Sequence, residues 1–261
     1  MKEQGRTWAG GAANIDDPVS AQATPEQWRS LIRHSGSSGG QPFREAGVAL
    51  LLGVAAALLA LVTFAFLADG VLDYETQQLD QGVLVWLHQF SSPQMTLAAT
   101  GVSTFGSELV VVFGVALLVW FGVRRRWGAA ASLLLIVGGA QLLNDVLKST
   151  VHRARPTPVG ATLLGQAYSF PSGHAMMSAA FYTFVAYLGW RLLSGSARVL
   201  WVAAMVLIVL LVGLARLYLE VHYLTDVLAG YLAGFIWADA VLIGGHLLAR
   251  RRTEHALEPS T

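Results

Sequence analysis

Six long apolar segments dominate the chain, and none of them alternates between apolar and polar positions. Each has about 19–28 residues, enough for an α-helix rising 1.5 Å per residue to cross a hydrocarbon core roughly 30 Å thick. The absence of alternation argues against a transmembrane β-barrel. The pattern predicts an all-α, polytopic membrane protein, a six-transmembrane-helix bundle with helices near 47–68, 96–122, 127–148, 171–193, 198–216 and 222–249.

Polar stretches flank the apolar part of the chain. Residues 1–46 are rich in Gly, Ser, Gln and Pro, a composition typical of disordered segments. No apolar run closely follows Met1, so we expect no cleavable signal peptide. The predicted organisation is a mostly disordered N-terminal tail (1–46), a six-helix transmembrane domain (47–249) and a short C-terminal tail (250–261).

Composition then narrows the possible functions. Of 261 residues, 54% are hydrophobic and 13% are charged, about half the charged fraction of an average soluble domain. The net charge of +1 provides no overall attraction to a polyanion, so we expect no nucleic-acid partner. The chain has no cysteine, which excludes disulfides, Cys-ligated zinc, iron–sulfur clusters and a cysteine nucleophile.

The basic residues predict the orientation. All but four of the 17 Lys and Arg fall on one side of the predicted bundle, so the positive-inside rule places both termini in the cytoplasm, most simply at a bacterial inner membrane. The first outer loop (69–95) contains only acidic charges, whose irregular spacing favours simple solvation. Cations on the outer side run against the same rule, so we interpret the four as an anion-binding site: Lys148, Arg153, Arg155 and Arg216.

The first candidate motif runs off the end of the third apolar segment. Lys148 supplies an ammonium group, and Arg155 supplies a planar guanidinium that suits the oxygens of a phosphate. Pro156 disfavours helical geometry at Arg155 and is expected to end the helix.

The second motif opens the fourth apolar segment with Pro171, Ser172, Gly173 and His174. Proline is well tolerated in the first turn of a helix, and Gly173 lets an anion approach the backbone. The unpaired N–H groups of that turn and the helix dipole favour negative charge there. His174 can exchange a proton near neutral pH.

The third motif joins the fifth and sixth segments and contains Arg216, His222 and Asp226. His222 and Asp226 are four residues apart, a spacing that places both on one face of a helix. A carboxylate there can accept one imidazole N–H and leave the other ring nitrogen as a nucleophile or base.

Together, the spacings Lys-x6-Arg-Pro, Pro-Ser-Gly-His and Arg-x5-His-x3-Asp resemble the type 2 phosphatidic acid phosphatase superfamily, which includes membrane lipid phosphatases and vanadium haloperoxidases. The resemblance implies that His222 attacks phosphorus, that Asp226 orients it, and that His174 protonates the leaving oxygen and later activates water. It implies no metal and no other cofactor. It also implies that the phosphoryl oxygens are bound by Lys148, Arg155, Ser172, Gly173 and Arg216.

Two positions depart from the family pattern. Ala215 stands where the family usually has Ser, which removes one hydroxyl donor, and Leu224 stands where Pro is often found. The resemblance implies a membrane lipid as substrate, such as undecaprenyl diphosphate, phosphatidylglycerophosphate or phosphatidic acid. A lipid phosphotransferase, a vanadate-dependent haloperoxidase and a non-enzymatic anion transporter or scaffold remain alternatives, and protein partners and oligomeric state stay open.

Several other residues near the motifs are candidates for structural or site roles, and two of them, Arg153 and Glu220, have two interpretations each. Arg153 could contact a second phosphate or a headgroup, or lie in a solvated loop. Glu220 could pair with Arg216 or face water. Asn144 and Asp145 are expected to position Lys148. Glu108 follows a polar notch at 104–107 that could line a substrate cleft. Small residues such as Gly138, Gly139, Gly230 and Gly234 are expected to permit close helix packing.

Overall fold

A computed structural model describes residues 41–156 and 168–257, and the side chains of 51–156 and 168–249. The chain divides into two units, Met1–Leu51 and Leu52–Thr261. Residues Gln41–Leu51 in the first unit are helical, and all three motifs lie in the second unit. In the described ranges all regular structure is helical: α1 (Gln41–Leu72), α2 (Gln77–His88), α3 (Pro93–Ser103), a 3₁₀ turn (Thr104–Gly106), α4 (Glu108–Val123), α5 (Trp127–Val151), α6 (Gly173–Leu192), α7 (Gly195–Tyr218) and α8 (Leu224–Leu257).

The helices confirm the predicted fold class, an all-α polytopic membrane bundle. Five stretches within the described residues are long and apolar enough to cross a membrane, and they coincide with five of the six predicted segments. Helices α1 and α8 extend beyond the predicted limits, α1 beginning at Gln41 and α8 ending at Leu257. The five stretches are Leu51–Leu72, Pro93–Val123, Trp127–Val151, Gly195–Tyr218 and Leu224–Ala249.

The remaining predicted segment is helix α6, which is not among those five because its sequence is less apolar. Its composition follows from its position. It packs most extensively against α8 and α7, and it also contacts α5. Met176, Ala180 and Phe181 are almost completely buried, so this helix is surrounded by protein on most sides. A helix surrounded by protein can carry polar groups that a lipid-facing helix such as α1 avoids.

Glycines bring α6 and α8 together. A Cβ added at Gly230 would lie 2.6 Å from the backbone oxygen of Ser172, and one at Gly234 would lie 2.2 Å from that of Met176. Only glycine permits so close an approach, which confirms the predicted packing role of these two positions. The contact sets the first turns of both helices side by side, and the Ser172 N–H donates to the Asp226 backbone oxygen at 2.9 Å.

The second predicted segment is interrupted where the sequence predicted continuous apolar helix. The 3₁₀ turn and Ser107 break it between α3 and α4, and Gly106 packs so tightly there that a Cβ would lie 2.9 Å from the backbone oxygen of His174. The hydroxyl of Tyr182 donates to the Phe105 backbone oxygen at 3.0 Å. A side-chain donor therefore satisfies a carbonyl in the interrupted stretch, as a buried backbone group requires.

The first outer loop contains a helix that the sequence did not predict. Helix α2 packs against α7 and α8. Its Leu87 belongs to a buried apolar cluster with Ala175, Leu217 and Val227, which come from α6, α7 and α8. The loop is therefore docked on the helix ends that carry the second and third motifs.

Candidate active site

A cavity of about 460 Å³ opens where the three motifs meet. Its lining also includes the helix interruption, through Gly106, Ser107 and Glu108, so the predicted polar notch does face this space. Two predicted site residues, Ser172 and Asp226, are completely buried behind the wall. The other six predicted site residues line the cavity: Lys148, Arg155, Gly173, His174, Arg216 and His222.

His222 lies in the turn between α7 and α8 and is 1% exposed. Its Nδ1 is 3.5 Å from Asp226 Oδ2, within ion-pair distance but longer than a well-formed hydrogen bond. Since α8 begins at Leu224, the pair spans the start of a helix, and the expectation that both residues share a helix face is wrong. Long contacts of this kind are common in catalytic sites without substrate.

Burial lowers the pKa of His222 to about 4, and the nearby Arg216 and Arg155 act in the same direction. The carboxylate of Asp226 opposes this shift but does not cancel it. The imidazole of His222 is consequently neutral at pH 7, so one ring nitrogen carries a free lone pair.

Asp226 accepts two hydrogen bonds at its carboxylate and one from Ser172 at its backbone oxygen. Its Oδ2 accepts the Tyr223 backbone N–H at 2.9 Å, and its Oδ1 accepts Nη1 of Arg153 at 2.6 Å. The donor from Arg153 is charged, and the backbone oxygen of Asp226 accepts the Ser172 N–H. The carboxylate beside His222 is therefore fixed on several sides.

The second motif begins helix α6, but Pro171 precedes the N-cap and does not lie in the first turn, where the sequence predicted it. Ser172 is the N-cap, and its Oγ accepts the Ala175 backbone N–H at 3.5 Å. Gly173 is the first helical residue and lines the cavity. Asn144 of α5 donates to the Pro171 backbone oxygen at 3.4 Å, which joins the first two motifs. The neighbouring Asp145 accepts from Gln141.

The cations that line the cavity are held by neighbouring segments. Arg155 donates from Nη1 to the Val221 backbone oxygen at 2.9 Å, which links the first motif to the turn of His222. Burial lowers the pKa of Arg155. Arg216 donates from Nη1 to Oγ of Ser103 at 2.9 Å. Ser103, on α3, was missed by the sequence interpretation, and its hydroxyl holds a guanidinium that lines the cavity.

The fourth outer cation does not line the cavity, so its assignment to the same anion site is wrong. Arg153 is bonded to two buried carboxylates, those of Asp80 and Asp226. Asp80 is 0% exposed, so the expectation that the first-loop acids are all solvated is also wrong. A sequence signal existed, because Asp80, Val83 and Leu87 share the 3.6-residue period of one helix face, which makes Asp80 an acid on an apolar stripe.

Glu220 makes a contact that neither sequence interpretation foresaw. Its Oε1 lies 2.6 Å from Nδ1 of His88 at the end of α2. The backbone of Glu220 is in the left-handed region at φ 53°, within the turn that precedes His222. Helix α2 thus contacts the turn that contains His222 through a polar pair.

Within the described residues, no group of three or more His, Asp or Glu side chains is arranged to hold a metal ion. The polar groups around the cavity instead place three cationic side chains and two histidines in one space, with the carboxylate of Glu108 at its edge. Such a set can bind a tetrahedral oxyanion and offers two separate imidazoles for proton or phosphoryl transfer.

Comparisons with known proteins agree with this chemistry. The model of the PAP2 superfamily matches residues 129–246, which include all three motifs. Phosphatidylglycerophosphatase B of Bacillus subtilis is 32% identical over 181 residues, covering 66% of this chain and 86% of that protein. Undecaprenyl-diphosphatase of Sulfolobus acidocaldarius is 32% identical over 137 residues, covering 51% of this chain and 62% of that protein. A crystal structure of a transmembrane PAP2 type phosphatidylglycerolphosphate phosphatase from Bacillus subtilis superposes with a TM-score of 0.64 at 28% identity, covering 74% of this chain and 96% of that one.

Proposed function

Because the chain belongs to the PAP2 superfamily and is a lipid phosphate phosphatase of that family, we propose that it cleaves a lipid phosphate or diphosphate through a phosphohistidine formed on His222. The observation that carries this proposal is the cavity that joins His222 and His174 to three cationic side chains. A nucleophile, a second imidazole and an oxyanion site are the parts that such a reaction needs.

In the first step, a ring nitrogen of neutral His222 attacks phosphorus and the bond from phosphorus to the leaving oxygen breaks. His174, which would take up a proton when the phosphate oxygens bind beside it, donates that proton to the leaving oxygen. In the second step, His174 removes a proton from water, the water oxygen attacks phosphorus, and the P–N bond breaks to release phosphate. Asp226, 3.5 Å from Nδ1 of His222, would orient the ring and stabilise its charged form in both steps.

Lys148, Arg155 and Arg216 would bind the phosphoryl oxygens and stabilise the charge on them in the transition state, with the backbone N–H of Gly173. Ser172 has a different place in this scheme. Its hydroxyl caps helix α6 from a buried position, so it would hold the first turn of α6 toward the anion. Three fixed cations would also repel a divalent metal, which supports metal-independent chemistry.

The cavity lies at helix ends in an integral membrane protein, which supports a substrate whose headgroup enters the site while its tail stays in the bilayer. The names of the relatives make phosphatidylglycerophosphate and undecaprenyl diphosphate the first substrates to test, with phosphatidic acid a third. The distribution of basic residues supports a site on the extracytoplasmic side of a bacterial inner membrane.

The test is phosphate release by purified protein from a panel of diphosphate and monophosphate lipids, with and without EDTA. We expect release from at least one of them, insensitivity to EDTA, and loss of release in His222→Ala without loss of folded protein. The matched control is His152→Asn, which changes an exposed histidine outside the cavity at a left-handed position that asparagine tolerates. Undiminished release in His222→Ala would contradict the nucleophile, and loss with EDTA that Mg²⁺ restores would contradict metal independence.

A further inference from the structure

Asp80 is a completely buried carboxylate in the first outer loop. Its side chain contacts Thr76 just before α2, Arg153 just after α5 and Thr225 of α8. Its Oδ1 accepts the Thr225 backbone N–H at 3.0 Å, and its Oδ2 accepts the Thr225 hydroxyl at 2.6 Å. Thr225 is the second residue of α8, so a side chain 145 positions earlier in the chain caps the helix that begins just after His222. The positive end of the helix dipole adds to this interaction.

Arg153 connects Asp80 to the carboxylate beside His222. Its Nη2 donates to Asp80 Oδ2 at 2.6 Å, and its Nη1 donates to Asp226 Oδ1, also at 2.6 Å. The guanidinium also lies over the ring of Tyr223, 4.2 Å from its centroid. A planar fork with two donors directed to two acids is a geometry that arginine provides and lysine does not.

The surroundings make these contacts rigid. Asp80 and Asp226 are both completely buried, and Arg153 has 14% of its side chain exposed. Burial alone would lower the pKa of Arg153, but Asp226 and Asp80 outweigh it and raise that pKa, so the guanidinium remains charged. Helix α2 is also anchored by buried Leu87 and by the contact between His88 and Glu220.

We propose that Asp80 and Arg153 are positioning residues that set the orientation and charge of Asp226, and through it the basicity of His222. The inference rests on the proposed role of His222 and extends the catalytic machinery to helix α2. Neither residue touches the cavity. Their contribution is indirect, through a chain of hydrogen bonds running from Asp80 through Arg153 to Asp226.

The two substitutions that remove these charges should act on His222 in opposite directions. Asp80→Asn leaves the positive charge of Arg153 directed at Asp226 alone. The Asp226 carboxylate then stabilises protonated His222 less well, so the titration midpoint of His222 falls. Arg153→Gln leaves Asp226 without its cation, so the midpoint rises. The other charged or titratable groups that face His222 stay the same in both variants: Lys148 of α5, Arg155 after α5, His174 of α6 and Arg216 of α7.

The experiment uses the full chain in detergent micelles and measures kcat, KM and the His222 titration by ¹⁵N-histidine NMR, with the His222 signal assigned from His222→Gln. We expect kcat to fall about tenfold to a hundredfold in both variants with KM within about twofold, because positioning is used in the transition state. The titration midpoints of His222 in the two variants should move in opposite directions, each by on the order of half a pH unit. Asp73→Asn, an exposed acid of the same loop, is the control and should leave all three quantities unchanged.

Shifts in the same direction, or Asp80→Asn indistinguishable from Asp73→Asn, would overturn the proposal. If Arg153→Gln does not fold, Arg153→Lys keeps the charge and loses the fork. Arg153→Lys should lower kcat and leave the titration midpoint of His222 near that of the wild type. An unchanged kcat in this variant would also overturn the proposal. These outcomes are distinguishable from a failure of the proposed function. If His222→Ala stays active while Asp80→Asn and Arg153→Gln move the His222 midpoint in opposite directions, only the role of His222 as nucleophile is refuted. If His222→Ala is inactive while the Asp80 and Arg153 variants behave like the control, only the positioning role of Asp80 and Arg153 is refuted.

Discussion

Arg153 and Arg155 are two residues apart, yet only Arg155 lines the cavity, and the two have opposite electrostatic surroundings. Arg155 lines the cavity with other cations, and burial lowers its pKa. Arg153 lies between two buried carboxylates that raise its pKa. One short segment therefore supplies a charge that would bind substrate and a second charge that bonds to the carboxylate beside His222. Residue type alone does not distinguish these tasks.

The backbone around the two arginines is held at several points. His152 ends α5 in the left-handed conformation at φ 54°. Ser169 then holds the next residues, donating its N–H to the Arg153 backbone oxygen at 2.8 Å and its hydroxyl to that of Ala154 at 3.1 Å. A segment pinned in this way can hold its two guanidinium groups apart, so the contrast between them can be tested by substituting one at a time.

The largest effect should come from removing the cavity-side guanidinium. We expect Arg155→Ala to lower kcat/KM about 10²–10³-fold, the range found when one donor to a developing oxyanion is lost. Inhibition by vanadate, which binds as a phosphate analogue, should weaken in the same variant.

Arg153→Gln supplies the comparison, because it also removes a guanidinium, but one that lies outside the cavity. Its vanadate inhibition constant should stay within about twofold of the wild type, since only transition-state positioning is lost. Equal weakening of vanadate inhibition in both variants would break the contrast between the two arginines.

A second prediction concerns the pH dependence of stability that burial of His222 creates. The pKa of His222 is about 4 in the folded chain and about 6.5 in the unfolded chain, so the unfolded state binds more protons between those values. Stability therefore falls as pH drops from about 6.5 to about 4, by about 3 kcal/mol from this group. In His222→Asn, the loss of apparent Tm between pH 7 and pH 4.5 should be smaller than in the wild type.

The control for that measurement is His152→Asn, which removes an exposed histidine at a backbone position that asparagine tolerates. Its loss of apparent Tm should match the wild type. If His222→Asn and His152→Asn lost stability equally on acidification, burial would not be keeping the imidazole of His222 neutral in the folded chain.

The smallest effect is expected from the hydroxyl that supports Arg216. Ser103→Ala removes the acceptor of a buried hydrogen bond worth about 1 kcal/mol, so kcat/KM should fall about fivefold. Thr100→Ala, one turn earlier on α3 and exposed, should match the wild type. A loss as large as that of Arg155→Ala would mean that Ser103 itself contacts the substrate.

The fold was predictable because a bilayer requires long apolar helices, and such helices are visible as uninterrupted segments. The motifs were predictable because their residues lie close together in sequence at helix ends. Confirmation of the family came from the comparisons. The catalytic and binding roles of the individual residues stay predictions, as does the orientation in the membrane.

The missed features depend on contacts between distant parts of the chain. Helix α2 has 12 residues and a narrow apolar stripe. Its acid accepts one local hydrogen bond, from the Thr76 hydroxyl, but its charged partner Arg153 and its partner Thr225 lie far along the chain. The interruption beside Gly106 depends on the close approach of His174. Local patterns cannot reveal such contacts, because the partners are specified only once the bundle has assembled.

The bond between Asp80 and Thr225 also has a consequence for biogenesis. The first outer loop is synthesised well before the last membrane-spanning helix, so its acid is without its partner on α8 until insertion is nearly complete. A carboxylate cannot be buried at low cost without such partners. Docking of the loop is therefore expected to follow arrival of α8, and hydrolytic competence would be a property of the finished chain alone.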